Sequence, residues 1–151
     1  MQVALIGGTG FVGSYLVDAL LEAGHEPVLL VREGSENKVR QRDHVRLVSG
    51  DISSAEALTA VIDGCDAAIY NVGILREIPS EGVTFETTQY DGVVRTVDAA
   101  VKAGVKRLVL MSAKGVKQPG TPYQETKFRA EQYAMQSGLD VTVVRPSVIF
   151  G

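Results

Sequence analysis

The sequence predicts an α/β fold in which helices cover both faces of a doubly wound parallel sheet. Short apolar runs alternate along the chain with segments of helical periodicity. The runs are apolar throughout, which is typical of parallel strands buried on both faces. A glycine-rich turn joins the first run to the first periodic segment. Right-handed crossovers between such strands favour the strand order 3-2-1-4-5-6.

Composition limits the class of protein. The 151 residues are 45% hydrophobic and 22% charged, which predicts one globular domain over residues 1–151. A net charge of −3 argues against nucleic-acid binding. The single cysteine, Cys65, cannot form an internal disulfide and fits a reducing compartment. The N-terminal apolar run is too short to cross a membrane, so we expect a cytoplasmic protein without direct membrane insertion. We expect no metal site.

The elements can be assigned in order. Strands are expected at residues 3–6, 27–31, 45–48, 66–70, 107–111 and 140–144. Helices are expected after Gly13, after Ser54, and over residues 87–103 and 123–136, whereas the polar stretch 32–42 holds a short helix at most. Val101 is expected on the inner face of the long helix, and Gly92 inside it costs about 1 kcal/mol unless close packing requires a glycine.

The glycine turn satisfies two spacings at once. Gly8, Gly10 and Gly13 form G-x-G-x-x-G, and Gly7, Gly10 and Gly13 form G-x-x-G-x-x-G. In either frame Gly10 lets the backbone approach a pyrophosphate and Gly13 lets the helix lie close to the strand. The free N–H groups and the dipole at the helix N-terminus favour an anion. The turn therefore predicts dinucleotide binding.

Arg32, directly after the second strand, bears on the choice of cofactor. An acidic residue there would accept a hydrogen bond from a ribose 2′-OH, whereas an arginine accommodates a 2′-phosphate. Arg32 therefore favours NADP(H) over NAD(H), although Glu33 beside it weakens the case and a surface charge would look the same. Asp51, after the third strand, can accept a hydrogen bond from adenine or cap the next helix.

The catalytic candidates are Tyr123 and Lys127, with Ser112 at the end of the fifth strand. A Tyr and a Lys four residues apart share one face of a helix. A neighbouring ammonium is expected to lower the phenol pKa toward neutrality, where proton exchange is efficient. Ser112 can hold a carbonyl oxygen beside the tyrosine hydroxyl. A surface Tyr–Lys pair would have the same spacing, but its place after the fifth strand favours a nicotinamide-facing role.

Several motifs together resemble the short-chain dehydrogenase/reductase superfamily with its Rossmann-type fold. They are the glycine turn, Gly50-Asp51-Ile52, Asn71-Val72-Gly73, Tyr123 with Lys127, and Arg145-Pro146-Ser147-Val148-Ile149-Phe150-Gly151. The chain is similar to the extended and atypical branches, which include epimerases, dehydratases and NmrA-like reductases. Residues 72–77, 82–86 and 121–124 further resemble bacterial relatives of the NAD(P)H-binding accessory subunit of respiratory complex I.

The resemblance implies a role for each matching position. The pyrophosphate would be held by Gly7, Thr9, Gly10, Phe11 and Val12, and the 2′-phosphate by Arg32. The adenine would lie beside Asp51 and Ile52, and its ribose beside Asn71, Val72 and Gly73. Lys127 would bind the nicotinamide ribose, and the nicotinamide would be backed by Pro146, Ser147 and Val148.

The chain also departs from the resembled family. Gln89 stands where many members have an asparagine, and Ser112 precedes Ala113-Lys114-Gly115, which matches no substrate loop. Relatives continue for roughly as many residues again, so we expect this chain to be a cofactor-binding half that lacks the substrate-binding part. The expected function is hydride transfer to or from a carbonyl or alcohol carbon of an unknown small substrate. The alternative is a non-catalytic NADP(H)-binding protein for assembly or redox sensing, in a protein complex or a homo-oligomer.

Overall fold

A computed structural model describes residues 1–151 and contains one six-stranded parallel sheet. The strands lie in the order β3-β2-β1-β4-β5-β6, which confirms the predicted topology. The strands are β1 (Gln2–Ile6), β2 (Glu26–Val31), β3 (Arg46–Ser49), β4 (Ala67–Tyr70), β5 (Arg107–Met111) and β6 (Asp140–Val144). The order reverses direction between β1 and β4, so the carboxyl ends of these strands border a crevice.

Four α-helices connect the strands. They are α1 (Phe11–Glu22), α2 (Ala55–Ile62), α3 (Gly92–Lys102) and α4 (Pro122–Met135). The polar stretch after β2 holds only two single turns of 3₁₀ helix, at Glu36–Lys38 and Arg42–His44, and a third such turn spans Pro79–Glu81. None of the helices combines the length and the apolar character needed to span a membrane.

The two faces of the sheet bury separate groups of apolar side chains. Alternate residues of β1 and β2 point to opposite faces, as the period of two in a strand requires. One face packs against α1 through Leu5, Val17, Leu29, Val31 and Val39. The other face carries the larger cluster, to which α2, α3 and α4 contribute, and includes Ala4, Ile6, Val28, Leu30, Leu58, Val61, Val93, Val97 and Leu108.

The predicted long helix differs from the observed one in its first turns. Residues Glu86–Asp91 form a π-helical turn, and the regular α-helix begins only at Gly92. A Cβ atom at Gly92 would lie 3.1 Å from Cζ of Tyr70 and 3.2 Å from Cδ1 of Ile52, so close packing requires the glycine. The placement of Val101 on the inner face was wrong: its side chain is 49% exposed.

Candidate functional site

A cleft of about 650 Å³ opens at the carboxyl ends of the central strands. This volume is in the range of small-molecule binding sites. The cleft brings together nine of the residues predicted to bind a cofactor: Gly7, Thr9, Gly10, Arg32, Asp51, Ile52, Asn71, Val72 and Gly73. These residues follow four different strands, and only the parallel sheet with its reversal between β1 and β4 makes them neighbours.

The backbone of the glycine turn distinguishes the two candidate spacings. Gly7 adopts φ +98°, and a Cβ atom there would lie 2.8 Å from the carbonyl carbon of Asn71. A Cβ atom at Gly13 would lie 2.8 Å from Cα of Gly8, so α1 can approach the turn only with glycine at this position. Gly8 instead packs against Leu29. The turn therefore uses the Gly7, Gly10 and Gly13 frame.

Gly10 differs from the other three glycines of the turn, Gly7, Gly8 and Gly13, because a side chain at Gly10 would point into open space. A Cβ atom there would contact only the carbonyl oxygen of Gly7, at 3.6 Å. Gly10 is the N-cap of α1 and has no side chain to occupy the first amides of the helix, and the first turn of α1 contains no acidic residue. The N-terminus of α1 thus offers unpaired N–H groups and the positive end of the helix dipole to the cleft.

One positive and one negative side chain that were predicted to bind the cofactor lie at the outer end of the cleft. Arg32 follows β2 and Asp51 follows β3, and both side chains line the cleft. The Oδ1 atom of Asp51 also accepts a hydrogen bond from the backbone N–H of Ser53 at 2.9 Å. The expected alternative that Asp51 caps the next helix was wrong: the N-cap of α2 is Ser54, whose Oγ accepts from the Ala57 N–H at 3.1 Å. Asp51 instead fixes the turn before α2 while it lines the cleft.

Tyr123 lies in the first turn of α4, which begins with a capping box. The Oγ1 atom of Thr121 accepts from the Gln124 backbone N–H at 3.3 Å, and the Gln124 side chain accepts from the Thr121 N–H at 3.0 Å. The ring of Tyr123 meets Phe85 edge-on, with 5.7 Å between ring centroids. The Nζ atom of Lys127 is 5.6 Å from the centre of the Tyr123 ring.

The electrostatics of this pair differ from the sequence-based expectation. Burial raises the pKa of the Tyr123 hydroxyl rather than lowering it. Burial also lowers the pKa of the Lys127 ammonium to about 8, an effect that the charge of Glu131 opposes. The ammonium therefore does not offset the desolvation of the phenol at this distance, and the Tyr123 hydroxyl is protonated rather than ionised at neutral pH.

A second, much smaller cavity of about 10 Å³ adjoins the cleft at Val72. It is lined by Ser112, Gln89 and Lys127 among others, and both Oγ of Ser112 and Oε1 of Gln89 are buried there without a hydrogen-bond partner in the protein. The amide of Gln89 donates to Oγ1 of Thr126 at 3.1 Å, which ties the π-helical turn to α4 beside Lys127. The volume is close to what one water molecule needs. Ser112 thus faces this cavity, with Lys127.

Glu131 and Arg145 support the same region; Arg145 begins the terminal motif, whereas the sequence analysis did not single out Glu131. Glu131 is fully buried, one helical turn after Lys127, and accepts two hydrogen bonds from the Arg145 guanidinium, at 3.0 Å and 2.5 Å. This bidentate pair connects α4 to the segment that follows β6. The signal in the sequence was the four-residue spacing of Lys127 and Glu131 on one face of a predicted helix.

Not every predicted residue lines the cleft. Phe11, which is 49% exposed, and Val12 lie on the first turn of α1 outside it. Pro146, Ser147 and Val148 lie beyond β6, where the carbonyl of Pro146 accepts from the N–H of Lys114 at 2.9 Å. Conversely, the cleft wall contains residues to which the sequence analysis assigned no cofactor role: Ser53, Ile74, Glu81, Gly82, Val83, Thr87, Thr88 and Arg95.

The buried ammonium of Lys127 leads to a prediction about stability. Its pKa of about 8 in the folded chain compares with an ordinary value of 10.5, so between these pH values the unfolded chain binds more protons and stability rises with pH. Below pH 8 the charge destabilises the fold by up to about 3 kcal/mol. Lys127→Met is therefore expected to raise the free energy of unfolding at pH 7 by about 1–3 kcal/mol, and by progressively less as the pH approaches 10.5.

Urea unfolding of both proteins at pH 7 and at pH 10 measures this difference. Lys102→Met serves as the control, because Lys102 is an exposed residue at the end of α3 and its loss should change stability by less than about 0.5 kcal/mol. A Lys127→Met variant that is less stable than wild type at pH 7 would show that the ammonium stabilises the fold through Glu131.

Comparison with known proteins agrees with this geometry. A family model described as NAD(P)H-binding matches residues 7–150. A ceramide reductase from Caulobacter vibrioides is 31% identical over 150 residues, which covers 99% of this chain and 46% of the relative. The photosystem II assembly factor Ycf39 from Synechocystis is 27% identical over 146 residues, or 96% of this chain and 44% of the relative.

Solved structures include the same fold. A Bacillus halodurans protein assigned as an NAD-dependent epimerase/dehydratase superposes with a TM-score of 0.86 at 28% identity, over 97% of this chain and 70% of that chain. The chain spans about half the length of the curated relatives described above. A reductase and an assembly factor thus both align with nearly the whole of this chain.

Proposed function

This chain belongs to the NAD(P)H-binding family within the short-chain dehydrogenase/reductase superfamily, and from this premise we propose that it is the cofactor-binding half of an oxidoreductase or epimerase-like protein. The open side of Gly10 at the N-terminus of α1 is the observation that carries the proposal. A phosphate can approach these amides because nothing in the chain occupies the space beside Gly10. The proposed cofactor is a nicotinamide dinucleotide, NADP(H) in preference to NAD(H).

The residues of the cleft suit the separate parts of such a cofactor. The amides around Gly10 suit the pyrophosphate, Arg32 suits a 2′-phosphate, and Ile52 gives an apolar surface beside Asp51 for adenine. Lys127 is close to the Asn71–Gly73 loop: a Cβ atom at Gly73 would lie 3.5 Å from its Nζ. This position suits a ribose hydroxyl. A bound nicotinamide would supply or accept the hydride.

The chain's own groups would handle the proton. The Tyr123 hydroxyl, which is protonated at neutral pH, would donate its proton to a carbonyl oxygen during reduction. Lys127 would anchor the ribose and supply positive charge near the phenol as the proton leaves. Ser112 would donate a hydrogen bond to the substrate carbonyl only if its buried Oγ turns from the smaller cavity toward the substrate. Pro146, Ser147 and Val148 would back the nicotinamide.

Cofactor preference is tested by Arg32→Asp. Removing the guanidinium eliminates a charge-assisted contact to a 2′-phosphate, and the new carboxylate repels the phosphate while accepting a ribose hydroxyl. A contact of this kind contributes on the order of 1.5–3 kcal/mol, so NADPH affinity should fall roughly ten- to hundredfold while NADH affinity rises. Calorimetric titration of both cofactors measures the change.

Arg42→Asp is the matched control, because it makes the same charge change at an exposed residue that does not line the cleft. Its NADPH affinity should stay within about twofold of wild type, since exposed charges at a distance are screened by salt. Equal affinity of wild type for NADPH and NADH would contradict the assigned preference for NADP(H).

A non-catalytic role is the second candidate, and the similarity to an assembly factor favours it. The relative from Synechocystis matches 96% of this chain and is a photosystem II assembly factor. In this alternative the protein holds NADP(H) as part of a complex or as a redox sensor. The single cysteine fits a reducing compartment such as the cytoplasm for either role. Oxidation of bound NADPH by a panel of aldehydes and ketones would favour the enzyme, and tight binding without turnover would favour the alternative.

A further inference from the structure

Arg95 is the cleft residue whose chemistry the proposed function leaves unused. It lies on α3, one turn after Gly92, and its half-buried side chain lines the cleft with Asp51 and Ile52. Its guanidinium takes part in no hydrogen bond or ion pair within the chain, whereas Arg40, Arg107, Arg129 and Arg145 are each paired with a carboxylate. A guanidinium held part-buried without a partner is an available recognition group.

The packing of α3 fixes which part of the cleft Arg95 reaches. Gly92 brings α3 into contact with Ile52 and Tyr70, and Arg95 follows on the same helical face. Burial raises the pKa of the Tyr70 hydroxyl, the charge of Asp51 adds to the rise and the charge of Arg95 opposes it, so both charges act on the end of β4. Arg95 therefore belongs to the end of the cleft formed by Asp51 and Ile52.

Helix α1, whose N-terminal amides are proposed to hold the pyrophosphate, packs on the opposite face of the sheet from α3. α1 packs on the face that carries Leu5 and Leu29, whereas α3 packs on the face that carries Ile6 and Leu30. A pyrophosphate at the N-terminus of α1 would consequently contact residues on the α1 side of the cleft, whereas Arg95 lies on the α3 side. The planar base suits Arg95, because a guanidinium stacks on aromatic faces and Ile52 lines the same part of the cleft with an apolar surface.

We infer that Arg95 recognises the adenine base of the dinucleotide, together with Ile52, and so distinguishes adenine dinucleotides from nicotinamide mononucleotide. The inference rests on the proposed function, since it names a further contact in the same cleft. It differs from the role of Arg32, which concerns the 2′-phosphate alone. Arg95 thus contributes equally to the binding of NADPH and NADH.

The test titrates wild type, Arg95→Met and Arg95→Lys with NADPH, NADH, ADP-ribose and reduced nicotinamide mononucleotide. Methionine keeps the apolar stem and the helix propensity but removes the planar cation, and lysine keeps the charge without the plane. Affinity of Arg95→Met for the three adenine-containing ligands should fall by about threefold to thirtyfold, and by similar factors for each. Arg95→Lys should lose most of the same affinity, and the mononucleotide should bind all three proteins alike.

The other outcomes separate this inference from the proposed function. A loss confined to NADPH would overturn it and assign Arg95 to the 2′-phosphate, and unchanged affinities would overturn it outright. Failure of wild type to bind any dinucleotide would reject the proposed function and the inference together. Lys102→Met, at the exposed end of the same helix, controls for the loss of one positive charge, and circular dichroism of each variant verifies the fold.

Discussion

Gly10→Val is expected to abolish dinucleotide binding while leaving the fold intact. The backbone at Gly10 has φ −80° and ψ 174°, which a valine adopts without strain, and a Cβ atom there contacts nothing closer than 3.6 Å. The two methyl groups would instead fill the space in front of the first amides of α1. Losing charge-assisted hydrogen bonds from two amides corresponds to roughly a 10²–10⁴-fold weaker affinity.

Gly13→Ala gives the opposite result and serves as the comparison. Its Cβ atom would collide with the backbone of Gly7 and Gly8, so α1 would have to move away from the sheet. Overpacking of this kind costs about 1–3 kcal/mol of stability. Titration with NADPH and urea unfolding of both variants separate the effects. Gly10→Val should lose binding and keep its stability, whereas Gly13→Ala should lose stability. Wild-type affinity in Gly10→Val would remove the phosphate-binding role of the turn.

The topology could be predicted because each strand is marked by an apolar run in its own residues, and these runs alternate with segments of helical periodicity. The runs at β5 and β6 match the observed bounds, Arg107–Met111 and Asp140–Val144. Apolar character throughout a run indicates burial on both faces, and connection handedness then restricts the strand order. The nine predicted residues that line the cleft follow from the same topology, because each lies just beyond the end of a strand.

What the sequence could not provide depends on contacts between distant segments. The π-helical turn before α3 accepts a hydrogen bond from the buried Tyr70 hydroxyl, at the carbonyl of Thr88, and Tyr70 is eighteen residues away in the sequence. The Tyr123 pKa rises because burial desolvates the hydroxyl, and the spacing of Tyr123 and Lys127 alone does not reveal that burial. Arg95 belongs to no motif, and only the close approach of α3 to Ile52 brings it to the cleft. The narrower resemblance to a complex I subunit stays a prediction.

Tyr123→Phe should separate the two proposed functions. The substitution removes one hydroxyl and keeps the ring, so the edge-on contact with Phe85 and the position beside Lys127 should persist. NADPH affinity should therefore change by less than about twofold. If Tyr123 is the proton donor, turnover with a carbonyl substrate should fall by roughly 10²–10⁴-fold, the usual contribution of a positioned acid or base.

Tyr90→Phe is the matched control, since Tyr90 carries the same hydroxyl on the π-helical turn and contacts Arg129 rather than the cleft. Its turnover should stay near wild type. Because the chain spans about half the length of the curated relatives described above, the measurement belongs in a protein that contains this chain and any substrate-binding portion. The raised pKa of Tyr123 adds a pH signature: reduction should persist at neutral pH and decline only at alkaline pH, as the phenol ionises. Reductase activity that survives Tyr123→Phe unchanged would assign the proton transfer to another group, and tight NADPH binding without any turnover in wild type would favour the assembly or sensing role.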